Sequence, residues 1–294
     1  MKVTMLSLLC GCIANIILDP ILIFGYFGMP RMGIAGAAVA TVIGQIIAAI
    51  LALVFNLKCN RELNISMKGF RPNGHLIVQI YKVGAPSIVV QAIGSLMTYG
   101  MNLILAAFGS AQTVFGIYFK LQSFVFMPVF GLNNGMVPII AYNYGAGHKD
   151  RVIKTIKHSV AYGVGIMFVG LLAMHIFPAQ LMRMFDAEES LIAIGAPALE
   201  TISLSFVFAG FCIVAGSVFQ ALGNGVYSMI VSVARQMCVL LPVAKLLSLS
   251  GEVTLIWWAF PIAELASVLL TSYFLVRIYR KVICHIGEPV VQDA

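Results

Sequence analysis

Long apolar runs alternate with short polar segments along the whole chain. Eight runs are long enough to cross a bilayer, and they lie at 3–24, 33–57, 84–108, 112–141, 152–177, 196–220, 226–247 and 252–276. About 20 helical residues span the hydrocarbon core of a membrane. Since no run alternates apolar and polar residues as a barrel strand does, the backbone groups must be satisfied within helices. The pattern predicts an all-α integral membrane protein with eight transmembrane helices.

Charged residues are few and unevenly distributed. Of 294 residues, 61% are apolar and 10% are charged, whereas about 25% are charged in soluble domains. Thirteen of the 18 basic residues fall on one side of the predicted helices: Lys2, Lys58, Arg61, Lys68, Arg71, Lys82, Lys149, Arg151, Lys154, Lys157, Arg277, Arg280 and Lys281. The positive-inside rule makes this side cytoplasmic, and an even number of spans places both termini there. The net charge of +7 therefore reflects topology, and no stacking platform for a nucleic acid accompanies it.

The segment 58–83 differs from the other loops because it is long, polar and basic. Its last part, 75–82, has the pattern of an amphipathic helix at the membrane surface. We interpret 58–83 as a cytoplasmic linker between a lobe that holds two helices in 1–57 and a six-helix lobe at 84–276, followed by a cytoplasmic tail at 277–294. Carriers built from repeats normally have equal halves, so the chain is expected to be a piece of a larger protein.

One acidic residue lies inside the first apolar run. Asp19 is four residues after Asn15, so the two share a helix face and the amide can donate to the carboxylate. Thr41 lies at a similar depth in the second run and is expected to join them. A carboxylate inside a membrane costs roughly 2.5–3.5 kcal/mol on insertion scales, which favours a task such as ion or proton exchange. The alternative is an aspartate that only bonds neighbouring helices.

Other polar side chains inside the runs predict a pocket. Four of them share one face of the run 84–108: Gln91, Ser95, Thr98 and Asn102. Such a stripe faces either a wet cavity or a neighbouring helix. Lys120 either faces a central cavity or extends to the outer interface. Arg235 and Glu264 fall near the middle of consecutive antiparallel runs, and a structural ion pair is expected because unpaired charges at that depth are unfavourable.

The remaining polar residues give no sign of catalysis. The five histidines are scattered and the six cysteines form no Cys-x-x-Cys pair, so neither a metal site nor a catalytic cluster is predicted. We therefore expect no enzyme activity and no metal or other cofactor.

Three segments resemble the multidrug and toxin extrusion (MATE) family, in particular its MepA/DinF-like bacterial branch. They are 15–41, which includes GMPRMGIAGAAVAT at 28–41, then PIIAYNYGAG at 138–147 and QALGNG at 220–225. The resemblance implies twelve helices in two six-helix lobes, of which this chain would hold the last two helices of the first lobe and the complete second lobe, without four N-terminal helices. It also implies that Asp19 is the proton-coupling residue of the first lobe.

The predicted function is a multidrug efflux antiporter of the bacterial cytoplasmic membrane, acting as a monomer on small-molecule drugs and toxins. It would export lipophilic cations by alternating access in exchange for protons or for sodium. The resemblance leads us to expect acids in the first and fourth helices of the second lobe if sodium binds there. The corresponding runs, 84–108 and 196–220, hold only Glu200, which argues against a sodium site in this lobe. The alternative is a lipid or polysaccharide flippase, for which a strongly cationic cavity is expected and only Lys120 and Arg235 are available.

Overall fold

The computed structural model describes residues 2–59 and 73–286, and the regular elements in these ranges are helices. The chain divides into two compact units, the first ending at residue 73 and the second beginning at Gly74. This division falls inside the predicted linker 58–83, of which residues 60–72 lie outside the described ranges. The helices are α1 (Lys2–Phe24), α2 (Ile34–Cys59), α3 (Gly74–Leu105), α4 (Ala111–Gly145), α5 (Lys149–Ile176), α6 (Pro178–Arg183), α7 (Glu189–Ser203), α8 (Phe206–Ala221), α9 (Gly225–Val233), α10 (Leu241–Ser248), α11 (Val253–Ile256) and α12 (Ala259–Lys281).

The first unit is a pair of helices that pack through very small residues. α1 ends at a left-handed glycine, since Gly25 has φ 76° and its amide donates to the carbonyl of Ile21 at 3.0 Å. The chain then folds back, and α2 presents Gly36, Ala40 and Gly44 to α1. A Cβ atom placed on Gly36 would lie 2.5 Å from the Leu22 carbonyl oxygen. The two backbones therefore touch, as small residues allow in lipid.

The second unit packs α3 to α12 around a core of large side chains. Trp257, Phe115 and Phe206 are fully buried in it. Phe115 stacks on Trp257 with ring centroids 6.5 Å apart, and Phe126 meets Phe206 edge-on at 5.3 Å. These contacts bring α4, α8 and the last helices together, and the cavity described below lies among these helices.

The number of candidate membrane spans in the described ranges is seven, or eight if a bent pair counts as one span. The bent pair is α7 and α8, which meet at 48° where a single run was predicted at 196–220. Two serine hydroxyls bond to backbone carbonyls at the break: Ser203 donates to Glu200 at 2.9 Å, and Ser205 donates to Ile202 at 2.6 Å. Side chains that take over backbone acceptors in this way favour a bend.

Two predicted boundaries differ from the observed ones. The amphipathic stretch 75–82 is not a separate surface helix, because α3 runs without interruption from Gly74 to Leu105. The predicted tail at 277–294 begins inside α12, which continues to Lys281. Residues 287–294 of that tail lie outside the described ranges. Both helices extend into polar sequence, where the apolar pattern used to predict the helices no longer indicates where they begin or end.

We expect Gly36→Val to destabilise the protein by about 2 kcal/mol, because the added side chain must force apart two backbones that already touch. Ala38→Val is the matched control, since Ala38 lies on the exposed side of the same helix. Thermal unfolding in detergent measures both. Equal midpoints for the two variants would contradict the close approach of α1 and α2.

Candidate functional site

Asp19, Asn15 and Thr41 come together within the first unit. The Asn15 amide nitrogen lies 3.4 Å from the Asp19 carboxylate and 3.4 Å from the Thr41 hydroxyl. The Thr41 hydroxyl in turn donates to the carbonyl of Ala37 at 2.9 Å. Both amide distances exceed the usual range for an N–H to oxygen bond. The half-buried carboxylate is therefore held only weakly, and its role in ion or proton exchange stays a prediction.

A cavity of about 1070 Å³ opens in the second unit among α3, α4, α8, α9 and α12. Its wall mixes aromatic rings with hydroxyl and amide groups. The polar members of the wall are Ser87, Gln91, Ser95, Thr98, Tyr118, Gln122, Ser123, Asn133, Asn134, Ser205, Ser217, Gln220, Ser228, Ser232, Arg235, Gln236, Glu264, Ser267 and Thr271. Such a wall can hold a ligand that is largely apolar and carries a few polar groups.

Three of the four stripe residues on α3 line this cavity, namely Gln91, Ser95 and Thr98. Asn102 is not part of the wall, which corrects that part of the prediction. Its amide donates to the Thr98 carbonyl at 2.9 Å, and its own backbone carbonyl accepts from Gln112 at 2.8 Å. Asn102 therefore makes hydrogen bonds near the end of α3, one turn beyond the cavity.

Lys120, predicted either to face a central cavity or to extend to the outer interface, does not line this cavity. Tyr118 and Gln122 belong to the wall, and Lys120 lies about 200° around α4 from each of them, on the opposite side of the helix. Its ammonium lies 5.7 Å from the ring centroid of Phe185. On that side of the helix the ammonium makes a cation–π contact with the ring.

Arg235 and Glu264 form the predicted ion pair, with Nη1 of the guanidinium bonded to Oε1 of the carboxylate. A structural role was predicted for this pair, and both residues also line the cavity. Glu264 has 8% of its side chain exposed, against 28% for Arg235. The sequence showed their depth in the membrane, but their place in the wall depends on how the helical segment around Arg235 packs against α12.

The backbone around Arg235 is widened into a π-helical segment at Ala234–Leu240. The amide of Leu241 donates to Gln236, five residues earlier. Pro242 follows at once and has no amide hydrogen to continue an α-helical ladder. π-Helical turns often occur at functional sites, and this one carries Arg235 and Gln236 in the cavity wall.

Comparison with known proteins gives the family. Residues 86–246 match the family model described as MatE. The chain belongs to the MatE family. Two of the three segments that resembled the family, 138–147 and 220–225, lie within the match, and the prediction of the family is confirmed.

Relatives of this MatE protein include the multidrug export protein MepA of Staphylococcus aureus, 28% identical over 264 residues that cover 89% of this chain and 57% of the relative. MepA of Staphylococcus haemolyticus is 27% identical over 280 residues, which cover 95% of this chain and 61% of the relative. The chain thus spans about three-fifths of the length of these relatives. Their names are those of transporters and not of enzymes.

Solved structures agree with this MatE fold. The MATE multidrug transporter DinF-BH, solved in complex with a ligand, superposes with a TM-score of 0.81 at 33% identity over 92% of this chain and 60% of that protein. A MOP superfamily transporter from Pyrococcus furiosus superposes with a TM-score of 0.84 at 20% identity, over 97% of this chain and 63% of that protein. The second likeness concerns the fold alone.

We expect Arg235→Met to destabilise the protein by about 3 kcal/mol, because it leaves the Glu264 carboxylate buried without its partner. The double variant Arg235→Met/Glu264→Met removes both charges and is expected to recover most of that loss. Thermal unfolding of the two variants in detergent checks this. A double variant as unstable as the single one would show that the charges do not stabilise each other.

Proposed function

We propose that the protein is a multidrug efflux antiporter that exports lipophilic cations in exchange for protons, or for sodium, by alternating access. The observation that carries this proposal is the mixed aromatic and polar cavity of about 1070 Å³ in a member of the MatE family. Drug-sized ligands occupy pockets of roughly 300–1,000 Å³, so the cavity has room for one.

The character of the wall supports lipophilic cations as substrates. Tyr118 and Phe260 meet edge-on with ring centroids 5.9 Å apart, and Phe119 and Phe126 continue the aromatic surface. Ring faces attract cations as well as flat apolar groups. The MepA relatives are named for multidrug export, and DinF-BH is described as a multidrug transporter. Substrates of the same kind are our proposal for this chain.

Asp19, Asn15 and Thr41 would supply the coupling. Their contacts through the Asn15 amide are long, at 3.4 Å, so a proton or a sodium ion can compete for the carboxylate at little cost. Coupling requires that this ion bind one conformation of the carrier better than the other. A carboxylate on a helix of the first unit can meet that requirement if helix movements change its access to water.

The membrane arrangement we propose follows the charge pattern. The bent pair α7 and α8 would form one broken span, which gives eight spans in all. The first unit would be the last two helices of one lobe and the second unit a six-helix lobe, with both termini in the cytoplasm of a bacterial cell and the carrier acting as a monomer. A flippase for anionic lipids is less well supported, because Arg235, the cation in the described cavity wall, is already paired with Glu264.

The proposal predicts that Asp19→Asn abolishes efflux driven by an imposed proton gradient, because an amide cannot gain and lose a proton near neutral pH. The measurement is the export of a fluorescent lipophilic cation from proteoliposomes or cells that contain the protein, with and without the gradient. The same experiment with a sodium gradient distinguishes the two ions.

Glu200→Gln is the matched control for this substitution, since Glu200 is also a half-buried acid within an apolar helix. It is expected to retain gradient-driven efflux. Efflux that persists in Asp19→Asn, or that is lost equally in both variants, would remove Asp19 from the coupling role.

A further inference from the structure

The described wall of the cavity carries two charged side chains, Arg235 and Glu264, which neutralise each other. They reach the cavity from different helices, Glu264 from α12 and Arg235 from the π-helical segment between α9 and α10. The aromatic rings of the wall attract a cation, and a carboxylate released from its partner would add a charge-assisted hydrogen bond to that attraction.

Glu264 and Arg235 differ in burial and in the regularity of their backbone. The Glu264 side chain is 8% exposed, and its Oε2 is buried without a hydrogen-bond donor in the described part of the chain. The Arg235 side chain is 28% exposed and lies on irregular helix. A buried acceptor without a donor is costly, and a charged one more so. The Oε2 atom is closed to the cavity, so a ligand meets the carboxylate at Oε1, where Arg235 now bonds, and the more exposed Arg235 is the partner that can move away.

Two more acceptors in the wall lack donors. The side-chain oxygens of Gln122 and Asn133 are buried and unpartnered in the described structure. The two residues are eleven positions apart on α4, about three turns, so they lie on the same face. Both oxygens lie just behind the wall surface, so a ligand that brings N–H groups would meet them once these side chains turn towards the cavity.

We propose that Glu264 is the residue that receives the positive charge of a ligand in this cavity, and that Arg235 is a resident counter-ion which the ligand displaces. The ligand class is a lipophilic cation with N–H donors, such as a protonated amine. In the empty cavity the guanidinium keeps the carboxylate neutralised. When the ammonium binds Glu264, Arg235 turns towards the water in the cavity. The inference deepens the proposed function and rests on it.

Matched ligands and matched variants test this directly. The full chain in detergent is titrated by calorimetry at neutral pH with naphthalenemethylamine, which is charged, and with naphthalenemethanol, which is not. We expect Arg235→Gln/Glu264→Gln, whose wall is also neutral, to bind the amine about tenfold more weakly than the natural protein, because a charge-assisted bond is lost. Binding of the alcohol should change by less than about twofold.

The control is Arg183→Gln/Glu189→Gln, which removes an exposed ion pair outside the cavity and should leave both affinities unchanged. Arg235→Gln alone should bind the amine more tightly, because the competitor is gone. If that variant does not fold, Arg235→Lys takes its place, with a smaller rise expected since lysine lacks the planar fork of arginine.

An amine affinity that is unchanged in the double cavity variant would overturn the proposal, and so would an equal loss for amine and alcohol. Binding is measured without any gradient, so the result is independent of ion coupling. If the affinity difference is absent while gradient-driven efflux persists, this inference fails and the proposed function stands. If the difference is present while the natural protein shows no gradient-driven efflux, this inference stands and the proposed function fails.

Discussion

Lipid offers no hydrogen bonds, and this constraint governs how polar groups are arranged in the chain. Backbone groups are satisfied inside helices, and side-chain hydroxyls turn back onto carbonyls of their own helix or the adjoining one, as Thr41, Thr98 and Ser205 do. Polar groups that remain are gathered where they can face one another or a water-filled space. The cavity in the second unit is such a place, since nineteen of its wall residues are polar.

The carboxylates of Asp19 and Glu264 illustrate two solutions to this constraint. Asp19 is half-buried, and its partner in the described part of the first unit is an amide at 3.4 Å, so its charge is weakly compensated. Glu264 is nearly inaccessible and holds a guanidinium, so its charge is fully compensated. A weakly held group suits exchange of a small ion, whereas a compensated one can change partners only for another cation of comparable strength. Our proposals assign ion coupling to the first and ligand recognition to the second.

Sequence alone predicted what depends on local spacing. Apolar run length gave most of the helices, the separation of four residues placed Asn15 beside Asp19, and the burden of a lone charge in lipid predicted that Arg235 meets Glu264. What it missed depends on packing between distant elements. The cavity wall is assembled from five segments of the chain, so the exclusion of Asn102 and Lys120 could not be derived from either helix by itself. Helix ends that lie in polar sequence, such as the end of α12, were missed. The apolar pattern ends at the membrane surface, whereas the helix continues beyond it.

The π-helical segment Ala234–Leu240 has a consequence for how this region tolerates change. A turn of this kind accommodates one residue more than an α-helical turn, so the side chains before and after it are offset by roughly 100°. Removing a single residue from the segment would restore a regular helix and swing Arg235 away from Glu264 while leaving α10 in place. The ion pair therefore depends on the helical register that this π-helical segment sets.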